Sequence, residues 1–251
     1  GKNFVDGILI SDSNFTISTN VITVSTSNTA EGIHIMGSSN GDVTDNDVDV
    51  RANVTVFGMN TTVINPDFRC NITFSFNVIY GEAVYAVGIN DDSETIDNNK
   101  VTLKANQAVG VIVNSENAQV TENTIKLIAA ESQAGQDNDA VGVQVNAKSV
   151  ISSNDIDSFG KSISVDNGEG TLVSNNNANA AMSISATSTK ITGNEITTVD
   201  EKAVYVLDTS TGTVIDDNVL TANGVNGNDA VSNAGTGTEV KNNKAKPQLI
   251  S

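Results

Sequence analysis

Apolar and polar positions along the chain repeat as a short pattern, apolar-x-x-Asn-x-apolar, which occurs ten times. The first copy runs from Ile17 to Ile22 and the last from Val240 to Ala245. Successive copies are 18 to 31 residues apart, a spacing typical of a solenoid in which each copy belongs to one turn and the loops vary in length. The central asparagines are Asn20, Asn46, Asn77, Asn99, Asn123, Asn154, Asn176, Asn194, Asn218 and Asn243.

The residues around each copy predict strands, because apolar residues alternate with polar ones and do not follow helical spacing. Val, Ile and Thr dominate these segments, and β-branched residues favour a pleated, half-buried surface. A second strand is predicted once per repeat, as in 108–113 and 140–145. A circuit of about 25 residues at ~3.3 Å per residue allows three short strands with bends between them.

Asparagine has two predicted roles in these repeats. It tolerates left-handed backbone and can turn the chain at a corner, and inward-facing amides can bond to their copies in adjacent coils. A buried amide needs such partners. The ten central asparagines are therefore predicted to form a structural ladder. A second polar ladder is predicted where the second strands end, at Asn90, Asn114, Asn146, Asp166, Asp208 and Asn233.

With these motifs, the chain resembles a right-handed parallel β-helix of the pectate-lyase-like superfamily. The Asn-rich, acidic, Trp-free repeats are also similar to NosD-type repeats and to adhesin-like surface proteins of methanogenic archaea. The resemblance implies an all-β, right-handed parallel β-helix solenoid of about ten three-stranded coils. We expect a single domain over residues 1–251, excised from a larger surface protein.

Charge narrows the classes of partner. The formal net charge is −17, and only 13 basic residues oppose 30 acidic ones, which disfavours nucleic acid and anionic membrane surfaces. No cofactor is predicted. Weak surface binding of calcium is possible at two oxygen-rich segments, 45–49 and 137–139. In the first, Asp47 and Asp49 occupy alternate strand positions and lie too far apart to chelate one ion by themselves.

An enzymatic function requires residues that can act together. A glycoside hydrolase needs carboxylates within about 5 to 10 Å of one another, and the adjacent pairs at 91–92 and 216–217 are predicted to lie at different corners. The single histidine, His34, is predicted to face outward without a catalytic role. The motifs of polygalacturonases and alginate epimerases are absent. No catalytic residue is predicted, but a carbohydrate-active enzyme with an unrecognised carboxylate site remains the alternative.

The preferred interpretation is a non-catalytic, extracellular adhesin-like module that serves as a spacer and binds a cell-surface glycan or protein. Specificity is expected in two long intervals, about 59–71 and 128–139, because loops vary while coils are dictated by packing. The candidate binding residues are Phe68, Arg69, Glu131, Gln133, Gln136, Asp137 and Asp139. Glycosylation triplets begin at Asn14, Asn53, Asn60 and Asn71.

Overall fold

The computed structural model describes residues 4–63, 70–92, 95–130 and 139–246. Within these ranges the chain forms 30 β-strands and one short 3-10 helix, and the strands make three ten-stranded sheets, A, B and C. For nine coils, successive strands enter the sheets in the order A, B, C, so every third strand is a neighbour in the same sheet. The predicted right-handed parallel β-helix of about ten three-stranded coils is confirmed.

The strands of each sheet have the following bounds. Sheet A contains β1 Phe4–Ser11, β4 Thr29–Met36, β7 Thr55–Thr62, β10 Tyr85–Asp91, β13 Gln107–Val113, β16 Asp139–Val145, β19 Lys161–Val165, β22 Met182–Ile184, β25 Val204–Val206 and β29 Val231–Asn233. Sheet B contains β2 Asn14–Ser18, β5 Asn40–Thr44, β8 Asn71–Ser75, β11 Thr95–Asp97, β14 Ala118–Thr121, β17 Ser149–Ser152, β20 Leu172–Ser174, β23 Lys190–Thr192, β26 Val214–Asp216 and β30 Glu239–Lys241. Sheet C contains β3 Val21–Thr26, β6 Asp47–Ala52, β9 Val78–Glu82, β12 Lys100–Ala105, β15 Thr124–Ala129, β18 Asp155–Asp157, β21 Asn177–Ala178, β24 Glu195–Thr197, β27 Val219–Ala222 and β28 Val225–Asn226.

The two apolar positions of the repeated pattern become inward rows of the core. The first position lies in sheet B, where the row from Val43 to Ile215 is in register and has no exposed surface. The second lies in sheet C, where the row from Ile22 to Leu220 is also buried. Burying one such aliphatic side chain contributes about 1.5 to 3 kcal/mol. The chain has few aromatic side chains, so its core is formed by these stacked aliphatic rows.

The central asparagines form the predicted ladder at the corner between sheets B and C. The Oδ1 atom of Asn123 accepts hydrogen bonds from the backbone N–H and the Nδ2 atom of Asn99, at 2.9 and 3.1 Å. The Nδ2 atom of Asn123 donates to Asn154 Oδ1 at 3.0 Å and to the Ile96 carbonyl at 2.9 Å. The amide-to-amide bond repeats at every step from Asn20 to Asn243.

The predicted role of asparagine as the left-handed corner residue is wrong for this ladder. Positive φ belongs to the residue before each ladder asparagine, as in Thr19 (57°), Phe76 (56°) and Glu122 (56°). In nine of the ten copies a residue other than glycine adopts this left-handed backbone conformation, at a small steric cost. The turn is held because the following asparagine satisfies the backbone groups around it, so the amide contributes hydrogen bonds and its neighbour makes the bend.

A row of glycines in sheet A is a feature that the sequence pattern did not reveal. At Gly110, an added Cβ would lie 2.5 Å from both the Gly142 carbonyl oxygen and Cγ2 of Ile125. The backbone of each coil therefore packs directly against the facing side chains of sheet C, and a Cβ has no space. The six glycines of this row are Gly7, Gly32, Gly58, Gly88, Gly110 and Gly142. Ser162 follows Gly142 in the row, at the point where Ala178 replaces Ile156 in sheet C.

The last coil departs from the repeat. Strand β28 pairs antiparallel with β27 in a local hairpin, whereas the strands of successive coils pair in parallel, as β26 does with β30. The 3-10 helix Gly227–Ala230 follows it. Its Asn228 places Oδ1 at 2.8 Å from Nδ2 of Asn243 and at 3.2 Å from the Asn243 backbone nitrogen. An asparagine from outside the repeated pattern thus accepts the hydrogen bonds that the final ladder residue would donate to a further coil.

The ladder predicts a large difference between two asparagine substitutions. Asn123→Leu leaves the Ile96 carbonyl and two N–H groups of Asn99 without their partners, at about 1 to 3 kcal/mol for each buried group. We expect the free energy of unfolding to fall by at least about 3 kcal/mol, measured by urea denaturation with far-UV circular dichroism. The control Asn53→Leu, at an exposed position, should change it by about 0.5 kcal/mol or less. Equal losses would contradict a stabilising ladder.

The glycine row generates a second prediction. Gly110→Ala should destabilise the protein by about 1 to 3 kcal/mol, because the new methyl group meets a backbone oxygen that cannot move without shifting the next coil. The comparison is Ala203→Gly, where the same row already holds an alanine; it should cost about 1 kcal/mol or less. A Gly110→Ala protein that melts like the unsubstituted protein would show that the close approach is not a constraint.

Candidate functional site

Most of the candidate binding residues lie outside the described residues: Phe68, Arg69, Glu131, Gln133, Gln136 and Asp137. Asp139 is the exception. It is the exposed first residue of β16 and pairs with Gln107 of β13, so it belongs to sheet A and not to a loop. The first interval is also narrower than predicted, because Met59 to Thr62 are part of β7.

The strands that flank the two long intervals belong to different pairs of sheets. Residues 63–70 connect β7 in sheet A to β8 in sheet B, whereas residues 130–138 connect β15 in sheet C to β16 in sheet A. Strand β16 is three positions beyond β7 in sheet A. The two connections are therefore separated both around the helix and along it.

A groove of about 530 Å³ follows the corner between sheets C and A. We call it the Arg51 groove. Its charged residues Arg51, Glu82 and Lys104 are cross-strand neighbours on β6, β9 and β12. Ala130, the last described residue before the second long interval, is at its margin. The remaining lining residues are Ser25, Thr26, Ala52, Asn53, Ala83, Val84 and Asn106.

Charges alternate across the strands that carry this groove. Glu82 accepts hydrogen bonds from Lys104 Nζ at 3.0 Å and Tyr80 Oη at 3.0 Å, and Arg51 Nη1 lies 3.4 Å from its carboxylate. The bonds from Lys104 and Tyr80 lower the pKa of Glu82. Arg51 also binds both carboxylate oxygens of Asp49, at 3.0 and 3.1 Å, and its guanidinium carbon lies 4.9 Å above the Tyr80 ring centre. These contacts orient the guanidinium and ammonium groups at the groove without burying them.

A second cluster of ionisable side chains lies on the outer face of sheet A, and we call it the His34 cluster. Nδ1 of His34 is 3.1 Å from Oε2 of Glu31 and 3.7 Å from Oδ1 of Asp6. Asp6 and Glu31 are direct partners in the pairing of β1 with β4. This is the one group of three potential metal-ligating side chains found in the described part of the chain.

The glycine row explains why Glu31 and His34 share a face. Residues three apart on a regular strand point to opposite sides. Glu31 and His34 nevertheless lie on the same outer face, while Ile33 and Ile35 are buried in the core. The alternation of β4 breaks at Gly32, which lies between Glu31 and His34 and packs its backbone against Val48 where a Cβ has no space. Sequence reasoning assigned His34 an outward position but missed the cluster, since strict alternation separates His34 from Glu31.

A chain of amides ends on Glu31. Nδ2 of Asn146 donates to Asn114 Oδ1 at 2.9 Å, Asn114 to Asn90 at 3.2 Å, and Asn90 to Asn60 at 2.7 Å. Nδ2 of Asn60 then donates to Glu31 Oε2 at 3.1 Å. Every N–H in the chain points toward the carboxylate, an arrangement in which hydrogen bonds polarise one another. The second predicted ladder is therefore confirmed over Asn90, Asn114 and Asn146.

The remaining positions of that ladder have other partners. Asp166 accepts hydrogen bonds from Gln144 and Ser164, and Asn233 accepts one from Gly235. Asp208 is exposed. The amide chain also uses Asn60, which is 7% exposed, so this glycosylation triplet is buried in the folded protein, unlike those at Asn14, Asn53 and Asn71.

Burial has the expected effect on the groups beneath these surfaces. It is the main influence on Glu31 and raises its pKa, against the hydrogen bond from Asn60 and the charge of His34, which both lower it. Burial also raises the pKa of the Cys70 thiol, whose Sγ contacts the Gly37 carbonyl oxygen.

The acid pairs at 91–92 and 216–217 lie at the ends of β10 and β26, in different sheets and five coils apart. Asp47 and Asp49 flank the buried Val48 and point outward, with Asp49 paired to Arg51.

Comparison with known proteins gives no match: no family model, no curated protein and no solved structure is significantly similar to the chain. The parallel β-helix is thus established by its own geometry. Among the described residues, no helix has the length and apolar composition needed to cross a bilayer.

Proposed function

We propose that the protein is a non-catalytic, extracellular β-helix module that acts as a spacer and binds a cell-surface glycan in the Arg51 groove. The observation that carries the proposal is this groove, in which Arg51, Glu82 and Lys104 lie together with Ala130, the residue that precedes the second long interval in the sequence. The regular packing of the coils leaves few such departures from an even surface, and specificity concentrates in them.

The chemistry of the groove suits a polyhydroxylated ligand. Guanidinium and ammonium groups donate hydrogen bonds, the Glu82 carboxylate accepts them, and the Asn53 amide can do both. Arg51, Glu82 and Lys104 are 51, 36 and 43% exposed, so a ligand can reach each of them. The side chains are held in place by ion pairs, which lowers the entropic cost of ordering them around a sugar.

The adhesin-like part of the proposal rests on the solenoid architecture and acidic composition. An elongated stack of coils separates the ends of the chain and presents corners along its length. The resemblance to pectate-lyase-like and NosD-type repeats, and to archaeal surface proteins, gives this proposal its biological context. The alternative ligand for the same surface is a protein, and a glycan screen distinguishes the two ligand classes.

A carbohydrate-active enzyme is the second candidate, and the convergence of Asp6, Glu31 and His34 is the observation in its favour. Glycosidic bond cleavage requires both carboxyl groups to reach the sugar. Glu31 is only 3% exposed and lies beneath its neighbours. The His34 cluster is therefore better suited to holding a small cation than to acting on a polysaccharide.

The groove predicts a selective loss of glycan binding. On a glycan array, the labelled protein should bind a defined set of glycans, and the double substitution Arg51→Ala with Lys104→Ala should weaken binding at least tenfold. Exposed ion pairs contribute only about 0 to 1 kcal/mol to stability, so the melting temperature should change little. The matched control is Lys241→Ala, which removes another exposed pair, with Glu239, at the last coil.

The same array distinguishes the contribution of the groove to glycan binding from that of the second long interval. Replacing residues 131–137 with a Gly-Ser link should abolish binding if the interval completes the site, while the fold remains intact. Full binding by both the double variant and the shortened protein would reject this corner as the recognition surface. An array with no bound glycan would reject the glycan as the ligand.

A further inference from the structure

The His34 cluster brings together three ligand atoms from two coils. Oδ1 of Asp6 comes from β1, whereas Oε2 of Glu31 and Nδ1 of His34 come from β4, and all three lie within 4.8 Å of one another. The Glu31 side chain is 3% exposed, that of His34 12% and that of Asp6 19%. The cluster is thus nearly covered but retains an opening beside Asp6 and His34.

Hydrogen bonds satisfy only part of this cluster. Asp6 Oδ1 is buried without a hydrogen-bond partner in the described part of the chain, and the buried Nδ1 of His34 has Glu31 Oε2 at 3.1 Å, a pair that is joined only when Nδ1 carries a proton. The other ring nitrogen of His34, Nε2, lies 3.1 Å from the Thr62 hydroxyl. When Nε2 carries the proton and donates it to Thr62, the lone pair of Nδ1 faces two carboxylates. Three acceptors in one buried place require a cation between them.

A proton satisfies this requirement less well than a metal ion. On Nδ1 it would serve Glu31 at most, because Asp6 Oδ1 is 3.7 Å away and beyond hydrogen-bond distance. A tetrahedral ion with ligands at about 2.0 to 2.2 Å separates its ligand atoms by roughly 3.4 Å. The observed separations of 3.1 and 3.7 Å bracket that value. The third separation, between the Asp6 and Glu31 oxygens, is within 4.8 Å, so a metal ion would draw these two carboxylates together to contact all three atoms.

We propose that Asp6, Glu31 and His34 form a binding site for a divalent transition-metal ion of the Zn²⁺ or Co²⁺ type. An imidazole with two carboxylates suits such ions, whereas calcium and magnesium prefer oxygen ligands alone. The surroundings have the form of a second coordination shell, because Thr62 orients the His34 ring and Asn60 binds the Glu31 carboxylate. A bound ion would link β1 to β4 and so join the first coil to the second.

The site is tested by metal titration, independently of any glycan. Metal-free protein, prepared with a chelator and dialysed, is titrated with Zn²⁺ by calorimetry and with Co²⁺ by visible absorption. We expect one ion per chain, tetrahedral Co²⁺ bands, and a rise in melting temperature with Zn²⁺ because the ion binds the folded state. His34→Gln and Asp6→Asn should each weaken binding at least tenfold and remove the thermal shift.

The control is Asp47→Asn, which removes an exposed carboxylate elsewhere and should leave the titration unchanged. Circular dichroism of each variant verifies the fold, and Asp6→Asn provides a nearly isosteric change if His34→Gln is unstable. Absence of stoichiometric binding would overturn the proposal, as would binding that survives both substitutions. Weak multi-site binding that falls equally with Asp47→Asn would identify general surface charge instead.

Discussion

The buried asparagine ladder is the interaction on which the rest of the structure depends. Eight of its ten members, from Asn46 to Asn218, are at most 1% exposed. The side-chain amide of each forms hydrogen bonds with both the preceding and the following coil. Leaving a buried amide without these partners destabilises the fold by more than one formed hydrogen bond stabilises it. The coils are therefore held in one register at the corner between sheets B and C, and loop insertions between copies do not disturb it.

Fixed register lets residues far apart in sequence form rows. The aliphatic rows of sheets B and C fill the core, and the glycine row lets the backbone of sheet A approach them. On the outside, the same register places Arg51, Glu82 and Lys104 side by side with alternating charge. Cross-strand neighbours of opposite charge stabilise each other modestly, but their larger effect here is to orient polar groups along one groove.

The two candidate sites arise where the coil departs from regular alternation. The Arg51 groove follows a corner at which the chain leaves sheet C before a long interval. The His34 cluster depends on the break in alternation at Gly32, on either side of which Glu31 and His34 lie on the same face. The amide chain from Asn146 then delivers its N–H dipoles to Glu31, so a row that began as structural support also stabilises a buried carboxylate.

The sequence by itself determined the solenoid, the number of coils, the inward rows and the ladder, because each depends on a local pattern that recurs in every turn. It placed the left-handed bend on the asparagine itself, because four of the ten residues that precede an asparagine, such as Thr19 and Phe76, have no preference for that backbone, although the other six are Asp, Asn or Gly. It could not find Asn228 beneath Asn243, nor the meeting of Asp6 with His34. These contacts occur once, between residues brought together by stacking and by a break in alternation at a glycine, so only the tertiary structure decided them.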